Sequence, residues 1–142
     1  MPGAEPSSAR EIVSNPYCRV LYERSTSIAH FVRTDVSIRS LEEADRYFGE
    51  AARAIDILGR NRIKLIIDIR EAPARNDPQF ETAMADHRRE IARGIRRIAV
   101  VAKTAAGRLH AKRLGKSDHL DQVVVASEEE AMAHLTLEER DD

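Results

Sequence analysis

Apolar residues recur along this chain in two rhythms. From Leu41 to Leu58 they fall at Leu41, Ala44, Phe48, Ala51, Ile55 and Leu58, the three-to-four spacing that lines one face of a helix. Ser40 and Glu43 make a capping box ahead of that stripe, and Gly59 supplies a stop. From Ile63 to Ile69 the pattern changes. Ile63, Leu65, Ile66, Ile67 and Ile69 are apolar on both parities, as a central strand covered on both faces requires. Upstream, Val20, Tyr22, Ile28, His30 and Val32 alternate with other residues, predicting two strands that turn near Ser25-Thr26. A second helix is expected from Pro78 to Arg93, with Phe80, Met84, His87 and Ile91 on one face and Gly94 ending it. "IRRIAVVAK" reads as a buried strand, "TAAGRLHAKRLGK" as a third helix and "LDQVVVAS" as a last strand. Ser127 and Glu130 cap a final helix running to Leu137.

The predicted order is β-β-α-β-α-β-α-β-α. Strands alternating with helices pair in parallel through right-handed crossovers, here after an antiparallel hairpin. The expected fold class is therefore α/β, with a single mixed, largely parallel sheet, an N-terminal β-hairpin and about four helices. Residues 1–16, rich in Pro, Ser, Gly and Ala and without period, are expected to be a disordered tail. Residues 17–137 would be the domain and 138–142 an acidic tail.

Composition narrows the role. A length of 142 residues suits one domain. Aromatics make up only 4% and Trp is absent, so the core rests on Ile, Leu, Val and Ala, and platforms for base stacking are scarce. Nucleic acid is accordingly not an expected partner. The net charge is −1 but unevenly spread: ten basic residues against Glu90 give +9 over residues 88–116, and nine acids against Arg140 give −8 over residues 117–142. Such a chain neutralises itself on folding or attracts a charged partner. The single cysteine, Cys18, excludes an internal disulfide, and no apolar run approaches the roughly 20 residues of a membrane span. With no apolar leader block at the start, the expected location is cytoplasmic.

Candidate chemistry is thin. "LGKS" (residues 114–117) lacks the first glycine of a phosphate loop, where His110 stands instead, and falls at a helix end. Histidines 30, 87, 110, 119 and 134 show no metal-ligand spacing, so no metal and no cofactor are expected. His87 reads as a hydrogen-bonded histidine at the core edge, and Cys18 as a small buried hydrophobe. Arg108, Lys112 and Lys116 recur every four residues with Arg113 beside them, a positive stripe able to meet anions or anionic lipid. The remaining feature is the end of the central strand, where Asp68 and Arg70 are followed by Asn76-Asp77 before the helix of Pro78. Asn76 or Asp77 suits the cap and Pro78 the first turn. No acid/base, nucleophile/base or metal set emerges, so an enzyme is not the expected reading.

The strand "LIIDIR", the segment "ARNDPQFETAMADHRREI", the strand "RRIAVVAK" and the late "VVVASEEEAMAHL" together resemble the STAS superfamily, the domains of sulfate transporters and anti-sigma-factor antagonists. The resemblance spans about residues 18–137 and is nearest to the SpoIIAA-like branch, grouped with lipid-binding Sec14-type domains. Antagonists of this superfamily carry an Asp-Ser-Ser-Gly type motif whose serine opens the helix and is phosphorylated by a partner kinase. The corresponding residues here are Asn76-Asp77-Pro78-Gln79, without a hydroxyl, and Thr82 lies a full turn inside the helix. The resemblance implies a non-catalytic regulatory or protein-interaction domain without that phosphorylation switch. It implies docking of a protein partner on Arg75, Asn76, Asp77, Pro78, Gln79, Glu81 and Thr104. The Sec14-like side implies the alternative, binding of a small apolar ligand or a membrane surface. A homodimer is left open.

Overall fold

The computed structural model describes residues 9–73 and 78–140. In chain order the elements are β1 (Ala9–Ser14), β2 (Cys18–Glu23), β3 (Ile28–Arg33), α1 (Leu41–Leu58), β4 (Lys64–Asp68), α2 (Pro78–Ala92), β5 (Ile98–Val101), α3 (Ala105–Ser117), β6 (Val123–Val125) and α4 (Glu128–Arg140). They form one six-stranded sheet in the order β1-β2-β3-β4-β5-β6. The first three strands are antiparallel, and β3 to β6 run parallel. This is the expected α/β class with its mixed sheet and four helices, plus one strand.

That extra strand corrects the expectation of a tail. Residues 9–14 pair with β2, with a register break between Glu11 and Val13. The pattern hid it because β1 is an edge strand: Val13 packs on the core, whereas Ile12 is 42% exposed. It is held by the backbone ladder with β2 and by Val13, and the exposed Arg19–Glu11 pair (2.5 Å) adds little. The turn into β2 is made by Asn15, whose Oδ1 accepts from the Tyr17 and Cys18 amides at 3.0 and 2.9 Å. The acidic tail is corrected likewise, since α4 continues to Arg140.

Consecutive strand order decides the layers. Parallel neighbours joined by right-handed crossovers, always stepping the same way across a sheet, put every crossover helix on one face. Accordingly α1, α2 and α3 share a face with Cys18, Val20, Phe31, Leu65 and Val100. Helix α4 lies on the opposite face, where Ala131 and Leu135 cover Ile28, Ile66, Ala99 and Val101. The basic α2–α3 segment and the acidic α4 are therefore separated by the sheet. Part of the charge is neutralised locally, Asp118 by Arg88 and Arg89, and Glu128 stands 3.8 Å from Arg70.

The base of the helical layer is closed by polar chemistry. Arg60, in a short turn after α1, is only 8% exposed. Its guanidinium donates to Asp56 Oδ1 (2.5 Å) and to the carbonyls of Ile91 (3.0 Å), Arg93 (2.6 Å) and Ala52 (3.4 Å). Those acceptors lie on α1 and at the end of α2, so one side chain ties both helices. Gly94, at φ 77°, makes the turn out of α2 against the Arg60 stem, in a region of backbone space that side-chain-bearing residues avoid.

Candidate functional site

At the other end of the layer the helices do not close. A cleft of about 410 Å³ opens between α2, α3 and the sheet, toward the carboxyl ends of β4 and β5. Helix α2 packs chiefly on α1, and its Phe80, Met84 and Ile91 form one wall. Ala111 and Leu114 of α3 form the other, over a floor of Phe31, Ile67 and Val100. The lining is mostly apolar, and the volume is that of a small-molecule site. The site sits where open parallel sheets collect ligands, outside the strand ends.

Most of its polar groups are already engaged. Asp68 holds Arg70 in a forked pair, Nε to Oδ1 at 3.0 Å and Nη2 to Oδ2 at 2.7 Å, which raises the arginine's already high pKa. Arg88 donates to Asp118 Oδ2 at 2.7 Å and approaches Glu81 at 3.7 Å. Asp118 caps α3 with a side chain only 5% exposed, so this pair pins α2 to the end of α3. His87 Nε2 meets Asp45 Oδ1 at 3.0 Å, and its ring lies 5.2 Å from Phe48, the core-edge histidine expected from the sequence.

Arg33 is different. It ends β3 on the helix-covered face, with Nε donating to the Tyr17 carbonyl at 3.1 Å and its guanidinium carbon 5.2 Å from the Phe48 ring centroid. It lines the cleft and forms no ion pair with any carboxylate among the described residues. Burial lowers its pKa from the usual arginine value.

The residues singled out in the sequence are partly brought together. Glu81 and Thr104 both border the cleft, Thr104 as the cap of α3 with Oγ1 accepting from the Gly107 amide at 2.9 Å. Pro78 and Gln79 open α2. Arg75, Asn76 and Asp77 lie outside the described residues, as do the side chains of Pro78 and Gln79. Of the basic stripe, Lys112, Arg113 and Lys116 are exposed on α3, whereas Arg108 folds back onto the Ala102 and Lys103 carbonyls (3.2 and 3.3 Å). Cys18 is fully buried, and desolvation pushes its thiol up to about 11, the opposite of an activated nucleophile.

Sequence reasoning passed over Arg33. The signal was present: Ala29, Phe31 and Arg33 share a strand parity. The alternation noted in Ile28, His30 and Val32 belongs to the α4 side, where Ile28 is buried and the other two are half-buried. No three or more His, Cys, Asp or Glu among the described residues are grouped to hold a metal, and none of the described helices is long and apolar enough to cross a membrane. No family model, no curated protein and no solved structure matches this chain.

Proposed function

We propose that this protein is a non-catalytic binding domain whose cleft at the ends of β4 and β5 takes a small, mostly apolar ligand. The observation that carries the reading is the cleft itself, an apolar cavity of about 410 Å³ whose Arg70, Arg88 and His87 are held in internal pairs. Burying apolar ligand surface there contributes roughly 25 cal/mol per Å² before the costs of association. The resemblance to STAS and Sec14-type domains supports a regulatory module of this kind. Glu81 and Thr104 border the cleft, so a protein docking on that edge would meet it.

The test is direct. Titration with octanol, followed by amide NMR, should perturb Phe31, Phe80, Val100 and Ala111 while leaving the α4 contacts around Ala131 unmoved. Saturable shifts centred on α4, or no saturable shifts at all, would remove the cleft as the functional site.

A further inference from the structure

The cleft is apolar, yet one cation within it has no counter-charge among the described residues. Six basic or imidazole side chains line it, and their commitments differ. Arg70 is held by Asp68, Arg88 by Asp118, and His87 by Asp45. Lys103 and His110 are solvent-exposed at the rim, where water screens them. Arg33 is half-buried and keeps unused donors, its Nη atoms retaining contact with solvent. Its Nε is spent on the Tyr17 carbonyl, its guanidinium carbon lies over the Phe48 ring at 5.2 Å, and neither Nη atom is bonded to an acceptor among the described residues. Among the described residues the one carboxylate in the lining, Glu81, belongs to α2 and approaches Arg88.

A guanidinium in that state has a definite complement. It is planar and always charged, and its two Nη groups match the two oxygens of a carboxylate. The Phe48 ring 5.2 Å away and the bond to the Tyr17 carbonyl restrain it, so less rotamer freedom remains to be lost when an anion arrives. Resting in the wall of an apolar cavity, it is surrounded by material that suits a hydrocarbon body, not a polyanion. A nucleotide or inositol phosphate would need several cations and hydrogen-bonding groups converging on it, and the other basic and imidazole groups of the lining are paired or exposed.

We infer that the cleft is selective for a monocarboxylate with an apolar body, its carboxylate seated on the Nη groups of Arg33 and its hydrocarbon lying along Phe31, Phe80 and Val100. The inference rests on the cleft being a ligand site and adds the ligand's charge and orientation. The depressed pKa of Arg33 is consistent with it, since an incoming anion relieves the cost of holding the charge away from water.

Octanoate and octanol separate the two statements, because they share a body and differ in charge. Calorimetric titration of the full chain at neutral pH should give octanoate a Kd about tenfold or more below that of octanol. Arg33→Met should erase that ratio while octanol still binds, and Arg33→Lys, which keeps the charge but not the fork, should retain part of it. Lys103→Met, at the rim, should leave the ratio unchanged. Equal binding of the two probes to the native protein, or a ratio that survives Arg33→Met and falls with Lys103→Met, overturns the role of Arg33 but leaves the cleft as a ligand site. Absence of binding by both probes overturns the cleft reading itself. Circular dichroism and thermal melts of each variant verify that a lost ratio does not come from a lost fold; if Arg33→Met fails to fold, Arg33→Lys carries the comparison, and an unchanged ratio in it overturns the fork.

Discussion

Two arginines occupy opposite ends of the same helical layer, and their surroundings differ in one respect. Arg60 at the base is enclosed by four acceptors from Asp56, Ala52, Ile91 and Arg93. Arg33 at the mouth has one carbonyl and one aromatic face. A buried guanidinium whose donors are all satisfied is an element of the fold, because removing it strands the carbonyls it served. Arg33 is half-buried, and its Nη groups keep solvent access, so they stay free to meet a group from outside the chain. The contrast also locates rigidity. Arg60 and the Arg88–Asp118 pair fix the lower half of α2, whereas its upper half, from Phe80 to Met84, borders open space.

The comparison breaks most readily at the base. Arg60→Met should lower unfolding free energy by about 3 kcal/mol, read from urea melts, since two buried carbonyls and Asp56 lose a charged donor. Arg33→Met, by contrast, should change stability by less than about 1 kcal/mol in either direction. Equal losses in both would erase the distinction drawn here.

Alkali probes the packing beneath β2. The folded Cys18 thiol is pushed from 9.0 up to about 11, so the native state holds its proton longer than the unfolded chain. Its contribution is intact below pH 9 and is lost as pH rises toward 11, by roughly 2–3 kcal/mol in total. Cys18→Ala should flatten that part of the stability profile.

Thr104→Ala, at the mouth, should cost about 1 kcal/mol through the lost cap of α3. Melts compared with and without octanol will tell whether the α3 end contributes to the cleft beyond that cap. Acid acts in the opposite direction to alkali and on the base. The hydrogen bond from Arg60, before any other cause, holds the Asp56 carboxyl below the usual range. Its contribution is present above the unfolded carboxyl pKa and is lost as pH falls through the depressed folded value. Asp56→Asn should remove this small slope between neutral and acid pH.

Much of the architecture could be read from periodicity. The stripe of α1 and the double-sided apolar run of β4 each admit one burial solution, and both Ser40 and Ser127 accept from the amides of Glu43 and Glu130 at 3.1 Å. The capping box at Ser40 was nonetheless half right. The Glu43 carboxylate takes the Tyr17 hydroxyl at 2.5 Å, a partner brought to it by tertiary packing, and the nearby Arg39 at 3.3 Å, and the tyrosine bond lowers its pKa. The strand at Ala9–Ser14 left no periodic trace because an edge strand with Ile12 in solvent needs none.

Local patterning determined every helix and the strands from β2 to β6, and which of them are buried, because those choices follow from neighbours a few residues apart; the edge strand β1 escaped it. It also determined that the end of β4 would be the place to look. Only the tertiary structure decided that the place is a cleft and that its distinctive residue is Arg33. Whether a charged side chain finds a counter-charge depends on elements brought together from distant sequence. Asp45 reaches His87, and Asp118 reaches Arg88, across separate helices. Arg33 is met by Tyr17 and Phe48 instead, neither of them an acid. Charge balance in a folded chain is a property of distances in space, and the spacing of residues along the sequence does not contain it.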